Sequence, residues 1–311
     1  MEDIILTTIK KQRAFHRKLI FVAEYVLRTF CSALWLVTAG KWQKRDMLKI
    51  LRINRPLSPK PHSLSAPVIV SLTSYPPRFS VLPLTLECLL TQTVLADKII
   101  LWIAHKDMNR LTPEILEFKN RGIEIKSCED LRSYKKLIPT LQESGEAVIV
   151  TADDDAYYWS TWLEELVGSW EGDRNEIIAN RVKSITTDSF GMPNEYKKWE
   201  NGEGNDAEIN KKSFLNFATG IGGILYPPGS LHKDVLKTEV FERLVPHNDD
   251  IWFYWMARLN GSKVKRLRGN FEALMWPMSQ KTALWKYNVE KGGNDEQIKN
   301  MIEFYGFPHD N

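Results

Sequence analysis

Cysteine is scarce in this chain: Cys31, Cys88 and Cys128 are its three. They are odd in number, far apart and form no CxxC pair, so neither a disulfide framework nor a zinc site is indicated. A reducing, cytoplasmic setting fits that usage. Neither sign of charge is in excess, since 42 basic residues stand against 39 acidic ones for a net of +3. This balance excludes a nucleic-acid binder recognised by charge alone. The one basic cluster of the second half, "KVKRLR" at Lys263 to Arg268, reads more simply as a strand on an exposed edge. A GxGxxG phosphate loop is also missing. What is present is globular: 311 residues, 43% hydrophobic and 26% charged, enough for one large or two modest domains.

The first 53 residues carry an apolar run, "LIFVAEYVLRTFCSALWLVTA" at Leu19 to Ala39. It starts late, has no small-residue cleavage site and contains Glu24 and Arg28, so it is not a signal peptide. As a spanning helix, its Leu, Ile, Phe and Val residues contribute roughly −3 to −6 kcal/mol, against about +2.5 to +3.5 kcal/mol for a central charge. Spanning is therefore close to break-even. On a helical projection Glu24, Arg28 and Ser32 share a stripe, with Leu19, Ala23, Val26, Leu27, Phe30, Leu34 and Val37 opposite. The spacing predicts an amphipathic helix flanked by Lys and Arg, suited to the anionic inner face of a membrane. Packing on the protein itself and a true span stay open beside it. Residues 54–66 follow as a Pro-rich linker, and a catalytic domain is expected over 67–311.

From Val68 strands and helices alternate. "PVIVSLTS", "DKIILWIA", "IEIKSCE" and "EAVIVTADDD" read as strands. Between them "VLPLTLECLLTQ", "TPEILEFKNRG" and "KLIPTLQES" read as helices, the second with Thr112 as cap, Pro113 in the first turn and Gly122 after its end. Such alternation predicts an α/β fold with a mostly parallel sheet covered by helices on both faces. Ligands in such sheets bind at the carboxyl ends of the strands. There stand Asp153, Asp154 and Asp155. If the segment stays extended, Asp153 and Asp155 share a face and Asp154 points away. Two hard carboxylates on one face suit Mg²⁺ or Mn²⁺, which bind through one or two carboxylates plus substrate phosphates. The bland alternative is an acidic turn capping the helix that begins near Ser160.

The second half is less regular. "EIIANRVKSIT" predicts another strand region, and Met192 to Ser213 is polar and long enough for a mobile loop or lid. In "FATGIGGILYPPGSL", Gly222 and Gly223 suit close backbone approach to a ligand, or a tight structural turn. "HNDDIWFYWMARL" places Asp249 and Asp250 at the start of a helix whose Trp252, Trp255, Met256 and Leu259 face the core. Either acid alone reads as a cap. A second acidic pair far from the first favours chemistry.

Together these segments resemble a GT-A glycosyltransferase of the family 2-like type that builds bacterial capsules and lipopolysaccharides, over about Pro67 to Ile302. The resemblance implies a Rossmann-like nucleotide-binding sheet with an N-terminal helical extension. "VIVSLTSYPPRF" is similar to the segment that holds base and ribose, implying Thr73, Tyr75 and Arg78 as contacts. "DLRSYKKLIPTL" implies that Asp130 meets the base and Lys136, or Lys135, approaches the diphosphate. "VTADDDAYY" is similar to the DxD signature, implying Asp153 and Asp155 as metal ligands and Asp154 near the donor sugar. "HNDDIWF" stands where such enzymes carry their acidic pair, implying Asp250, then Asp249, as catalytic base; it reads Asp-Asp rather than the common Glu-Asp. No QxxRW tract of processive synthases is present, which favours addition of one sugar or a short stretch.

The implied reaction is metal-dependent, inverting transfer from a nucleoside diphosphate sugar, UDP-sugar favoured, to a hydroxyl of a saccharide or lipid-linked saccharide. Gly222, Gly223 and Trp252 are weaker candidates for sugar or acceptor contact. Trp159, Trp162 and Tyr157 offer rings for stacking, with core packing the stronger expectation for each. Two alternatives compete. A sugar-phosphate nucleotidyltransferase would carry a glycine-rich loop after its first strand, where this chain has "TSYPPRF" without glycine. A non-catalytic carbohydrate-binding protein would not need Asp249 and Asp250.

Overall fold

The structure is a computed structural model that describes residues 44–53, 56, 58–201, 209–268, 273–276, 279 and 292–308. The chain divides into two units, residues 1–50 and 51–311. Of the first, the described residues are the opening turns of helix α1 (Lys44–Ile53), whose Leu48 is buried. The amphipathic segment expected at 19–39 lies outside the described residues, as do 54–55 of the linker. Among the described residues no helix is long and apolar enough to cross a membrane.

The second unit is built on an eight-stranded sheet. Its strands are β1 (Val68–Thr73), β2 (Lys98–Ala104), β3 (Ile123–Cys128), β4 (Val148–Ala152), β5 (Glu176–Ala179), β6 (Lys212–Ser213), β7 (Ile224–Tyr226) and β8 (Lys263–Arg266). They lie in the order β3-β2-β1-β4-β7-β5-β8-β6. The first four pair in parallel, with Val70 of β1 opposite Ile99 of β2 and Val150 of β4. Val68 to Leu72 and all of β4 are buried, as expected of β-branched strands covered on both faces.

From β4 outward the sheet turns mixed. β7 runs antiparallel to both β4 and β5, β8 is parallel to β5, and β6 closes the edge antiparallel to β8. The expected mostly parallel sheet therefore holds for one half. The expected exposed edge at Lys263 to Arg268 is also corrected: β8 lies inside the sheet, and its Arg266 is buried with Nη2 donating to Val182 O and Ser184 Oγ. Sequence favoured an edge because Lys and Arg alternate there. Lys265 is instead neutralised 3.2 Å from buried Glu176.

Helices α2 (Leu82–Leu90), α3 (Pro113–Leu116), α4 (Ile138–Glu143), α5 (Trp162–Ser169), α6 (Thr238–Leu244), α7 (Asp249–Leu259) and α8 (Gly293–Tyr305) complete the unit. Thr112 caps α3 as expected, its Oγ1 accepting from Ile115 N at 3.4 Å. Helix α7 is buried almost all round, Ile251 to Arg258 included. Stacked and edge-on rings line its surroundings, among them Tyr134 on Phe241 at 4.0 Å. The expected lid at 192–213 is not a free loop over 192–201: Trp199 is buried, Tyr196–Lys198 form a 3₁₀ turn, and Glu200 bridges to Ser184. Two aromatic rings bury more apolar surface than the polar composition of the segment suggests. Residues 202–208 lie outside the described residues.

Candidate active site

Strand β4 ends at Ala152, and the three aspartates that follow leave the extended conformation at once. The turn is fixed from several sides. Tyr158 Oη accepts from Asp153 N at 2.7 Å, and Thr85 Oγ1 donates to Asp154 O at 3.0 Å. Trp276 N donates to Asp155 O at 2.8 Å. Strand alternation therefore does not set the directions of the carboxylates, as the extended segment was expected to do, although the charge of Asp153 still acts on Asp155. Each side chain has its own partner. Lys136 Nζ lies 2.8 Å from Asp153 Oδ1, Ser74 Oγ donates to Asp154, and Arg78 pairs with buried Asp155.

The second acidic pair opens α7. Asn248, not an aspartate, is the cap: its Oδ1 accepts from Asp250 N at 3.1 Å. That leaves both carboxylates for other work. Asp249 is buried, with Oδ2 3.1 Å from Lys136 Nζ. Asp250 Oδ1 accepts from Gly220 N at 3.1 Å. Lys136 thus bridges two acidic segments that are about a hundred residues apart in sequence. Burial opposes its charge, yet Asp153 and Asp249 hold the ammonium well above its ordinary range.

Cations do not match the carboxylates. Five acids, Asp153, Asp154, Asp155, Asp249 and Asp250, share Lys136 and Arg78 as paired cations. Burial, and next the charge of Asp155, push the Asp154 carboxyl up to about 7. Burial, and next Asp249, push Asp250 up to about 7. A small cavity lined by Ile177, Ala218, Tyr226, Phe253 and Val264 lies beside Asp250 and supplies its apolar surroundings.

Among the described residues no three His, Cys, Asp or Glu side chains converge into a metal cage. A cage is not what Mg²⁺ or Mn²⁺ requires when it is shared with a diphosphate, because one or two carboxylates then suffice. The donor set fits on that basis, because Asp153 and Asp155 are hard oxygen donors in the turn after β4.

The remaining candidates fall in three places. Thr73 Oγ1 donates to Trp102 O at 2.9 Å, and Tyr75 is exposed at the carboxyl end of β1. Asp130 is paired with Lys106 at 2.6 Å and Lys135 at 2.7 Å, which hold its carboxyl well below the usual range although burial opposes them. Lys135 is therefore engaged with Asp130, while Lys136 belongs to the acidic centre. Gly222 and Gly223 serve packing. Gly222 O accepts from Trp162 Nε1 at 2.9 Å, and a Cβ on Gly223, whose φ is +85°, would stand 2.5 Å from the Trp162 ring. Trp252 and Trp162 are fully buried and present no ring face to a ligand.

Gly220, Ser74 and Asn248 were missed in sequence. Gly220 is the most informative: a Cβ there would come 2.5 Å from Lys136 Nζ, so a larger residue would displace the ammonium from its place beside Asp153. Three glycines within Gly220 to Gly223 were the available signal.

No protein-family model matches the sequence, and no curated protein matches it. Among solved structures the chain is similar to S. aureus TarS 1–349, at 14% identity over 77% of this chain and 72% of that one, with a TM-score of 0.44. It is similar to glucosyl-3-phosphoglycerate synthase from Mycobacterium tuberculosis in complex with Mn²⁺, UDP and phosphoglyceric acid, at 11% identity, 82% and 88% coverage and TM-score 0.42. It is also similar to 4-diphosphocytidyl-2C-methyl-D-erythritol synthase from Anaerococcus prevotii, at 11% identity, 75% and 98% coverage and TM-score 0.43. Likeness at this level reaches more than one reaction class and decides nothing about chemistry.

Proposed function

We propose that the chain is a GT-A-type glycosyltransferase that moves a sugar from a nucleoside diphosphate donor, UDP-sugar favoured, to a hydroxyl of a saccharide or lipid-linked saccharide. The observation that carries this is the bridge made by Lys136 between Asp153 at the end of β4 and Asp249 at the start of α7. A strand-end carboxylate group and a helix-start carboxylate group then meet at one ammonium, each with one acid raised to about 7. Such paired environments separate metal-holding acids from an acid–base residue.

Asp153 and Asp155 would hold Mn²⁺ or Mg²⁺, which when bound acts as a Lewis acid on the leaving diphosphate. Arg78 and Lys136 add positive charge where that diphosphate collects. Thr73 and Tyr75 stand at the carboxyl end of β1, where a base and ribose would lie. Asp250 takes the acceptor proton. A carboxyl near 7 is well matched to that task, and its second oxygen is free of the Gly220 bond. Asp249 ranks behind it because Lys136 engages it. A base across the crevice from the leaving group gives displacement with inversion. The chain would act in bacterial surface polysaccharide synthesis, with the segment at 19–39 touching the inner face of the membrane.

The test is a thermal-shift screen of nucleotide sugars with and without Mn²⁺. A ligand at one hundred times its Kd stabilises by about 2.7 kcal/mol. A Mn²⁺-dependent rise in Tm with a UDP-sugar is expected; no shift with any nucleotide sugar refutes the assignment.

A further inference from the structure

Several buried or half-buried cations in the second unit face a carboxylate. Arg78 has Asp155, Lys135 has Asp130, Lys136 has Asp153, and Arg121 makes two bonds to Glu87. Arg181 and Lys183 depart from that pattern. Both are half-buried, and among the described residues neither makes an ion pair. Two residues apart across the start of the short strand Val182–Ser184, they project to the same face.

Their surroundings are polar but not acidic. Arg181 Nη1 donates to Thr219 Oγ1 at 2.9 Å, and Lys183 Nζ stands 5.0 Å over the Tyr196 ring. The acids that act on the Tyr196 phenol are Asp250 and Asp295, and Asp295 is already accepting from Tyr196 N at 2.7 Å. Burial, and next the charge of Arg181, lower the Lys183 ammonium pKa. Two cations placed side by side without a counter-ion are costly unless an anion sits between them.

The pair also adjoins the proposed base. Thr219 N donates to Arg181 O at 3.0 Å, and the next residue, Gly220, donates to Asp250 Oδ1. An anion on Arg181 and Lys183 would therefore lie near Asp250, reached through Thr219 and Gly220 rather than through Arg78 and the turn after β4.

We propose that Arg181 and Lys183 form a subsite for a phosphate group carried by the acceptor. Two positive charges match a phosphate dianion, and the planar fork of Arg181 suits its oxygens. This rests on the glycosyltransferase assignment for the word acceptor, but the anion site stands on its own geometry. A phosphorylated sugar and a lipid-borne phosphate share the chemistry that would be recognised.

The test titrates the full chain with inorganic phosphate by calorimetry. Arg181→Gln and Lys183→Gln should each weaken phosphate binding roughly tenfold, the scale of one lost charge-assisted contact. Lys119→Gln, on an exposed turn, should leave it unchanged. Urea midpoints check that the variants fold, and Lys183, whose side chain makes no hydrogen bond among the described residues, keeps the test valid should Arg181→Gln unfold. Wild-type affinity in both variants, or no binding by the wild type, overturns the proposal. Glucose 6-phosphate and phosphatidic-acid vesicles then compete against phosphate: displacement by the first assigns a soluble phosphosugar, displacement by the second a lipid-borne group, and displacement by neither overturns it. Variant-sensitive phosphate binding without any Mn²⁺-dependent nucleotide-sugar shift would refute the glycosyltransferase assignment and keep this site. A nucleotide shift with variant-insensitive phosphate binding would do the reverse.

Discussion

The acidic turn after β4 and the acidic start of α7 carry the same chemical groups and neutralise them differently. In the turn, Asp153 and Asp155 have Lys136 and Arg78, and Asp154 has the hydroxyl of Ser74. At the helix start, Asp249 has Lys136, and Asp250 has the backbone N–H of Gly220. Each segment thus holds cation-paired acids and one acid left to burial, raised to about 7. What differs is how each is held. The turn is fixed through its backbone by Tyr158, Thr85 and Trp276, whereas Asp250 opens a buried helix and meets the backbone N–H of Gly220. A cation-paired carboxylate group suits holding charge, and a carboxyl of raised pKa suits moving a proton.

The sharpest way to break the comparison is to remove the cation that both segments share. Lys136→Met strands Asp153 and Asp249, the latter buried, and should cost about 3–5 kcal/mol, the range for breaking a buried pair. Urea denaturation measures it, and a loss below 1 kcal/mol would show that the two segments are not electrostatically joined.

The next effect follows from the raised acids. A folded-state pKa near 7 against an unfolded value near 3.9 means that the folded protein binds more protons between those limits. Stability from these groups is therefore fully present below pH 4 and is lost as pH rises through 7. Asp154→Asn removes one of them and should relieve the loss by roughly 1 kcal/mol per pH unit at most across that window. Chemical denaturation of both proteins from pH 4.5 to 8 checks this: the variant should gain on the wild type as pH rises, and a constant difference would contradict it.

A smaller effect probes the glycine packed on Trp162. Gly223→Ala places a Cβ against the Trp162 ring at a positive φ and should destabilise by about 1–3 kcal/mol. Equilibrium unfolding should show this loss, whereas Gly229→Ala, also at positive φ but with open space around it, should lose less.

Much of the parallel half was legible in the sequence because each strand and helix there is locally consistent. Val68 to Thr73 is β-branched and buried, and Thr112, Pro113 and Gly122 mark their helical segment at both ends. The acidic segments were legible as well, since strand-end and helix-start positions follow from pattern alone. The mixed half was not. β6 has two residues and β7 three, too short for periodicity, and β8 hides Lys265 against Glu176 and Arg266 against Ser184. The roles of Lys135 and Lys136 were not separable either, because neighbouring lysines in a 3₁₀ turn take their partners from tertiary structure: Asp130 for one, Asp153 and Asp249 for the other. The alternation expected of Asp153 to Asp155 failed for a local reason, the turn that begins one residue past the last strand hydrogen bond.

The central claim is that Asp250 accepts a proton while the β4 turn holds the donor. Its most direct test is the single-turnover rate of sugar transfer by Asp250→Asn, measured beside the affinity of the same variant for the nucleotide sugar with Mn²⁺. The account predicts a rate lower by roughly 10²–10⁴-fold with affinity within threefold of wild type. An unchanged transfer rate, or a rate loss matched by an equal loss of donor affinity, would contradict it.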